Sequence, residues 1–268
     1  MRKLLIAGCG DLGERLAARL DGSDWSSHGL RRNPALLPSS IHPVGADLFD
    51  PDSLRVVAGP WDAIVYQATP GERSPQAYRA AYVDGLVNLL GQASARRLIF
   101  VSSTAVYGQD AGEWVDEQSP TEPAGFSGQL LLQAEAVAAQ HGGLAVRFSG
   151  IYGPGRDYLI RTLRSGQARC RRQPPQWTNR IHADDCAGVL QHLLELDAPA
   201  PVYCASDSQP APRCEVLDWL ARQLDVPGPT ADDTAEGLGK RVGNARLIAD
   251  GYRFEYPDYQ SGYRKLLS

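Results

Sequence analysis

The segment MRKLLIAGCGDLG at residues 1–13 decides how the rest of the chain is interpreted. Its apolar run is short enough to be a buried strand, and a helical pattern begins directly after it. Between the two, Gly8, Gly10 and Gly13 have the G-x-G-x-x-G spacing. A strand, a glycine turn and a helix in this order are the context in which that spacing predicts a dinucleotide-binding turn.

Each glycine of this turn has a separate physical task. Gly8 would make the tight turn, Gly10 would let a pyrophosphate reach the backbone, and Gly13 would let the helix pack closely on the strand. Asp11 and Leu12 lie at the start of the helix, where unpaired N–H groups and the positive dipole end attract phosphate. These five residues are therefore predicted to bind a cofactor. The alternative is a glycine turn that connects a strand to a helix and binds no ligand.

The end of the second predicted strand, which covers residues 25–30, indicates which dinucleotide the turn would bind. An acidic side chain at this point binds a ribose 2′-hydroxyl group, whereas an arginine accepts a 2′-phosphate. The sequence has Arg31 and Arg32 there and no acid. Two guanidinium groups suit a phosphate, so NADP is predicted in preference to NAD. The alternative is a solvated pair of loop charges.

Strand and helix patterns alternate through the first 151 residues. Strand-like apolar runs lie at 41–48, 61–69, 97–104 and 145–148, and helical spacing covers 78–95 and 126–135. This alternation predicts an α/β fold, a doubly wound parallel sheet of the Rossmann type. Ligands of such sheets bind at the carboxyl ends of the strands. Asp47, Ala68 and Ser102 are therefore added to the predicted cofactor-binding residues.

Composition excludes several other classes of protein. The chain of 268 residues is 43% hydrophobic and 22% charged, as an ordinary globular protein is, and its net charge of -4 without a basic block argues against a nucleic-acid partner. No apolar run approaches the roughly 20 residues that a membrane span needs. Five scattered cysteines without a C-x-x-C pair or a Cys/His cluster predict neither a disulfide framework nor a metal site. A reducing, cytoplasmic location is expected.

Four further motifs occur in order along the chain: Val101-Ser-Ser-Thr-Ala-Val-Tyr-Gly, Asp116-Glu-Gln-Ser-Pro, Arg147-Phe-Ser-Gly-Ile-Tyr-Gly-Pro-Gly and Asn179-Arg-Ile-His-Ala-Asp-Asp-Cys-Ala. Together they resemble the extended short-chain dehydrogenase/reductase superfamily, in its NAD(P)-dependent epimerase/dehydratase branch. The resemblance implies a dinucleotide-binding domain at 1–151, completed by 178–206. It also implies that 152–268 is mainly a small C-terminal substrate cap.

The resemblance also implies a catalytic arrangement, and here the sequence departs from the family. A Ser or Thr holds the substrate oxygen, and Ser103 falls on that position. A Tyr-x-x-x-Lys pair moves the proton, but the matching positions are Ser127 and Leu131, and no lysine occurs from residue 4 to residue 239. The proton would then be carried by another hydroxyl group or by an ordered water. The candidate hydroxyl groups are those of Thr104, Tyr107 and Tyr152.

Two functions from different classes remain open. The preserved motifs favour an atypical NADP-dependent oxidoreductase or epimerase/dehydratase that acts on a sugar-nucleotide-like or other small carbonyl substrate. The missing pair favours a non-catalytic NADP-binding sensor or scaffold protein. The arginine-rich stretch 161–172 in the cap is either a site for an anionic substrate or a solvated surface. Family members often dimerise through the helices after the fourth and fifth strands, so a homodimer is possible here.

Overall fold

The central sheet begins with the apolar run at the N-terminus. The computed structural model describes residues 1–232, 234 and 237–268. In it, the side chains from Leu4 to Ala7 are fully buried. A strand that is covered on both faces reads as a continuous apolar run, and this explains why residues 4–7 show no polar alternation.

The strands are β1 (Arg2–Ala7), β2 (Trp25–Arg31), β3 (His42–Gly45), β4 (Gly59–Tyr66), β5 (Ala93–Ser103), β6 (Trp114–Val115), β7 (Leu144–Phe148), β8 (Gly150–Tyr152), β9 (Arg169–Cys170), β10 (Trp177–Thr178), β11 (Arg180–His182), β12 (Val202–Ala205), β13 (Ala211–Pro212), β14 (Thr230–Ala231) and β15 (Arg241–Val242). The α-helices are α1 (Asp11–Leu20), α2 (Pro75–Tyr78), α3 (Gly85–Leu90), α4 (Phe126–Gln140), α5 (Tyr158–Arg164), α6 (Ala183–Glu195), α7 (Arg213–Leu224), α8 (Ala245–Ala249) and α9 (Tyr259–Leu267).

Seven of these strands form one sheet in the order β12-β7-β5-β4-β1-β2-β3. Strand β1 lies between β2 and β4 and is parallel to both, with Ala7 opposite Leu30 on one side and Tyr66 on the other. The carboxyl ends of these strands therefore meet at one edge of the sheet. The prediction of an α/β fold with a parallel sheet is confirmed.

The helical segment before β5 differs from its prediction over residues 78–95. A π-helical turn at Arg79–Asp84 separates α2 from α3, and β5 already begins at Ala93. Tyr66 explains the interruption, because its hydroxyl group donates a hydrogen bond of 2.5 Å to the carbonyl oxygen of Ala81. A side chain that bonds to a helix carbonyl in this way breaks the regular i→i−4 pattern. The contact is tertiary, and periodicity does not predict it.

The chain divides into two compact units. The first comprises 1–106, 121–147 and 187–203, and the second comprises 107–120, 148–186 and 204–268. Compared with the predicted boundaries, the second unit also takes in 107–120, 148–151, 178–186 and 204–206. In the second unit, α5 and α9 both pack on α7 around a core of buried apolar side chains. Its described short strands include two-stranded ladders, of which β8 with β11 is parallel and β10 with β13 is antiparallel.

The cysteines correct one expectation. Cys170 of β9 and Cys214 of α7 form a disulfide bond inside the second unit, although the sequence indicated no disulfide framework. The two residues are 44 positions apart, and only the packing of α7 beside β9 brings them together. Cys9, Cys186 and Cys204 are buried thiols outside this disulfide bond. Because disulfides persist mainly in oxidising compartments, the cysteine pattern no longer supports a reducing location.

Neither a candidate membrane span nor a candidate metal cluster occurs among the described residues. No helix in that part of the chain has both the length and the apolar character that a bilayer span requires. The same residues contain no group of three or more His, Cys, Asp and Glu side chains that could hold a metal ion.

Candidate functional site

A cleft of about 470 Å³ opens in the first unit, at the carboxyl ends of its strands. Six of the ten predicted cofactor-binding residues line it, and so do eight residues that were not predicted. The lining consists of Gly8, Cys9, Gly10, Leu30, Arg31, Arg32, Asn33, Ala46, Asp47, Leu48, Phe49, Ala68, Thr69 and Gly71.

The glycine turn of this cleft has the geometry that its spacing predicts. Gly8 has a φ of +79°, and a Cβ atom there would lie 2.6 Å from the Cα atom of Ala68, so only glycine fits. A Cβ atom on Gly13 would lie 2.8 Å from Cγ2 of Ile6, which is the close helix-to-strand approach expected of the third glycine. At Gly10 such an atom would meet nothing within 4 Å. The backbone is therefore open to a ligand at the second glycine.

The N-terminus of α1 provides the donors for a phosphate. Gly10 is the N-cap residue, and because it has no side chain it makes no capping hydrogen bond. The carboxylate of Asp11 accepts a hydrogen bond from Nε of Arg15 at 2.9 Å. The Leu12 side chain is buried, so only the backbone of this residue could contact a ligand. Backbone N–H groups without a side-chain cap, at the positive end of a helix, fit the diphosphate of a dinucleotide.

Arg31 and Asp47 approach the cleft from neighbouring strands. Arg31 ends β2, and its Nη1 lies 3.5 Å from Oε1 of Glu14, with side chains that are 29% and 35% exposed. The carboxylate of Asp47 accepts a hydrogen bond from the N–H group of Phe49 at 3.0 Å. Phe49 is 51% exposed on the cleft wall and was missed by the sequence analysis. Its signal in the sequence was an aromatic residue directly after the predicted strand at 41–48.

Ser102 forms its side-chain hydrogen bond with a residue that does not line the cleft. Its hydroxyl group donates a 2.6 Å hydrogen bond to Oε1 of Glu135, which also accepts from Nε of Arg147 at 3.0 Å. Arg147 donates from Nη2 to the second Glu135 oxygen at 2.6 Å, and only 5% of this arginine is exposed. This geometry argues against the predicted contact between Ser102 and a cofactor, because its hydroxyl group serves a buried ion pair.

Ser103 and Thr104 lie where β5 ends and a short 3₁₀ turn begins. Both are half-buried, and Oγ of Ser103 accepts a hydrogen bond from the N–H group of Ala105 at 3.2 Å. The helix that carries the tyrosine and lysine in the family is α4. Leu131, at the lysine position, is buried in the first unit. In the register predicted from the sequence, an apolar side chain therefore stands where the family has its lysine.

The two candidate tyrosines belong to the second unit and are buried, Tyr107 with 2% and Tyr152 with 3% exposure. The Tyr107 hydroxyl group donates a hydrogen bond to the carbonyl oxygen of Asp116 at 2.7 Å. The Tyr152 ring stacks on Tyr263 at 4.4 Å between ring centroids, and its hydroxyl group lies against Gly262. Burial also raises the pKa of Tyr152 far above its ordinary value. The structure thus argues against a catalytic role for either tyrosine.

The arginine-rich stretch does not form one cationic site. Arg161 pairs with Asp157 at 2.9 Å, and Arg172 pairs with Asp218 at 2.7 Å. Arg171 donates to the carbonyl oxygen of Pro174 at 3.2 Å. Since three of the five arginines have partners of their own, the alternative of a mainly structural and solvated surface agrees better with the geometry.

A buried carboxyl group near Tyr152 predicts a pH dependence of stability. Asp207 is 1% exposed, and burial raises its pKa to about 7 although the nearby Arg180 charge opposes the rise. The folded state therefore holds this proton at pH values where the unfolded chain has lost it. We expect the free energy of unfolding to fall as pH rises from about 4 to about 7, by an amount on the order of 2–4 kcal/mol.

Urea denaturation at pH 5 and pH 8 checks this expectation. The variant Asp207→Asn should lose much of the pH dependence, whereas Asp21→Asn, which changes an exposed carboxylate, should retain it. An unchanged dependence in Asp207→Asn would contradict the assignment to Asp207.

Comparisons with known proteins agree with this geometry. The sequence profile described as the NAD dependent epimerase/dehydratase family matches residues 4–201. Protein YeeZ of Escherichia coli (strain K12) is 28% identical over 96% of this chain and 97% of its own length. A 3-diazoavenalumate denitrifying reductase of a Streptomyces species is 26% identical over 85% of this chain and 83% of its own length.

A solved structure from Methylobacillus flagellatus, named for the same family, is 39% identical. It covers 99% of this chain and 97% of that one, with a TM-score of 0.84.

Proposed function

This chain belongs to the NAD-dependent epimerase/dehydratase family, and from that premise we propose that it is an atypical NADP(H)-dependent oxidoreductase or epimerase/dehydratase. Its substrate would be a sugar-nucleotide-like or other small carbonyl compound. The observation that supports the proposal best is that a single cleft is lined by Gly8, by Gly10 at the N-cap of α1, and by Arg31 and Arg32.

Each part of the cleft would bind a different part of the cofactor. The N–H groups at the start of α1 would bind the diphosphate next to Gly10. Arg31 and Arg32 would bind the 2′-phosphate through charge-assisted hydrogen bonds. Asp47 and the exposed ring of Phe49 would face the adenine. When bound, a nicotinamide cofactor supplies or accepts a hydride.

The substrate oxygen would be held by Ser103, with Thr104 as the neighbouring hydroxyl group. Both lie at the carboxyl end of β5, the kind of position where parallel sheets bind ligands. The proton would be carried by one of these hydroxyl groups or by an ordered water. Without a cation such as the family lysine, a hydroxyl group is a weaker base near neutral pH, so slow turnover is expected.

The second candidate function is that of a non-catalytic NADP-binding sensor or scaffold. The buried Leu131 at the lysine position favours it, because this helix cannot lower the pKa of a neighbouring hydroxyl group. The oxidation of NADPH, measured against a panel of sugar nucleotides and small aldehydes and ketones, distinguishes the two. Turnover that Ser103→Ala abolishes would support the enzyme, whereas tight NADPH binding with no turnover would support the sensor.

The prediction about cofactor type depends on Arg31 and Arg32. We expect the unmodified protein to bind NADPH tenfold to a few hundredfold more tightly than NADH, because charge-assisted hydrogen bonds contribute about 1.5–3 kcal/mol each and partial exposure reduces this. The double variant Arg31→Ala/Arg32→Ala should lose this preference while its affinity for NADH stays nearly constant. Isothermal calorimetry at two salt concentrations measures both.

Three outcomes of that calorimetry have distinct meanings. A preference that shrinks as the salt concentration rises would agree with an ionic contact to the 2′-phosphate. Equal affinities in the unmodified protein would mean that the two arginines are solvated loop charges. Binding of neither cofactor would contradict the proposed function itself.

The oligomeric state and the cellular compartment remain predictions. A homodimer would use α3 and α4, where Val87 on α3 is 49% exposed. Sedimentation velocity should then show a mass near twice 29.0 kDa at micromolar concentration. A monomer mass over the whole concentration range would contradict the dimer.

A further inference from the structure

Glu14 is an acidic residue at the site where the proposed function requires a phosphate. It lies in the first turn of α1, and its Oε1 is 3.5 Å from Nη1 of Arg31. Both side chains are about one-third exposed. Arg32 also lines the cleft, but no described carboxylate pairs with it. Of the two arginines that are predicted to bind the phosphate, Arg31 therefore has a competing anion next to it and Arg32 does not.

The distance between Arg31 and Glu14 indicates a contact weak enough for a phosphate to compete with it. Charge-assisted N–H···O bonds to a carboxylate are about 2.7–2.9 Å long, so the 3.5 Å separation is an ion pair without a short hydrogen bond. A phosphate oxygen could therefore replace Glu14 as the partner of Arg31. The displaced carboxylate would still lie on α1 beside the phosphate, and its charge would repel that anion.

Neither Cys9 nor Asp11 takes the place of Glu14 as the anionic partner of Arg31. Cys9 lies beside both, and burial raises its pKa to about 12, so its thiol is neutral near neutral pH. On the same turn of α1, Asp11 pairs with Arg15 at 2.9 Å. The Glu14 carboxylate is thus the acidic group that faces Arg31 directly.

We propose that Glu14 is a specificity-determining residue that limits the affinity of this cleft for a 2′-phosphorylated cofactor. Glu14 holds Arg31 at the cleft when no phosphate is present, and a 2′-phosphate contacts Arg31 only by displacing the Glu14 carboxylate. The inference rests on the proposed function, since it assumes that Arg31 and Arg32 receive the 2′-phosphate. It predicts that the preference for NADP(H) is smaller than two arginines alone would produce.

The test uses Glu14→Gln, which keeps the size and hydrogen-bonding capacity of the side chain and removes its charge. We expect the Kd for NADPH to fall three- to tenfold and the Kd for NADH to remain within twofold. Adenosine 2′,5′-bisphosphate should show the same gain and ADP should not, because the first carries the 2′-phosphate without the nicotinamide. Asp21→Asn, at the other end of α1, is the charge-matched control and should change neither value.

A double-variant cycle separates a direct effect from a general change in net charge. In the Arg31→Ala background, Glu14→Gln should no longer improve NADPH binding, because the residue through which the competition acts is absent. An unchanged or weaker NADPH affinity in Glu14→Gln would overturn the inference. An equal gain in the Arg31→Ala background would also overturn it. A thermal unfolding scan of each variant confirms that it is folded before binding is measured.

Failure of the inference and failure of the proposed function give different results. If the unmodified protein binds neither NADPH nor NADH, the proposed function fails. If Arg31→Ala/Arg32→Ala weakens NADPH selectively but Glu14→Gln has no effect, only the role of Glu14 is overturned.

Discussion

Replacement of Glu135 by alanine is expected to lower the free energy of unfolding by about 3–5 kcal/mol, the largest effect predicted for a single side chain of this protein. Glu135 accepts hydrogen bonds from Ser102 and from two nitrogens of Arg147. The side chains of Arg147 and Glu135 are only 7% and 10% exposed. Without the carboxylate, the buried guanidinium loses the negative charge that Glu135 places against it.

Urea denaturation at neutral pH measures this effect. Glu122→Ala removes an exposed carboxylate and should change stability by less than about 0.5 kcal/mol. Glu135→Gln keeps the shape of the side chain but removes the negative charge that faces the guanidinium, so it should also be strongly destabilising. A loss below 1 kcal/mol in both Glu135 variants would show that Arg147 finds solvent or another partner, and would refute the argument.

Replacement of Gly10 by alanine is expected to weaken NADPH binding at least a hundredfold with little loss of stability. A Cβ atom at Gly10 meets no protein atom within 4 Å, and the residue has an extended backbone with a φ of −113°, which alanine adopts readily. The new methyl group would occupy the space that the diphosphate needs. Two lost hydrogen bonds of about 1.5–3 kcal/mol each correspond to a factor of a hundred or more.

Calorimetry with NADPH and a thermal unfolding scan together check this expectation. The matched control is Gly125→Ala, at another helix N-cap of the same unit, where the nearest side-chain atom is 3.9 Å away. It should bind NADPH normally. Undiminished binding in Gly10→Ala would mean that the cofactor does not approach this turn, and the cleft would lose its assignment.

Local patterns predicted the parts of the site that depend on adjacent residues. The glycine turn could be read from the sequence because backbone conformation and close approach restrict Gly8 and Gly13 to glycine. Arg31 could be predicted to lie near the glycine turn because it ends β2, the next strand in the sequence, and β2 pairs in parallel with β1. Phe49 could not be predicted as a residue of the cleft in the same way, since exposed aromatic residues occur on many loops.

The sequence did not predict which side chains contact one another. Ser102 and Ser103 are consecutive hydroxyl residues at the end of one strand, and alternation places them on opposite faces. Only the structure shows that Ser102 is the one bonded to Glu135. Tyr107 and Tyr152 occur in family motifs, but their burial depends on packing with distant segments. Their hydroxyl groups are therefore poor candidates for proton transfer.

The sequence by itself determined the class of fold, the glycine turn and the absence of a Tyr-x-x-x-Lys pair. The type of cofactor is a prediction from the same sequence. These follow from residue identity and short-range spacing, which local backbone sterics and burial periodicity control. Only the tertiary structure decided the Cys170–Cys214 bond, the Ser102–Glu135 contact and the pairing of Glu14 with Arg31. Each of these joins residues on different elements, and distances across a fold depend on how helices and strands pack, which spacing along a chain does not record.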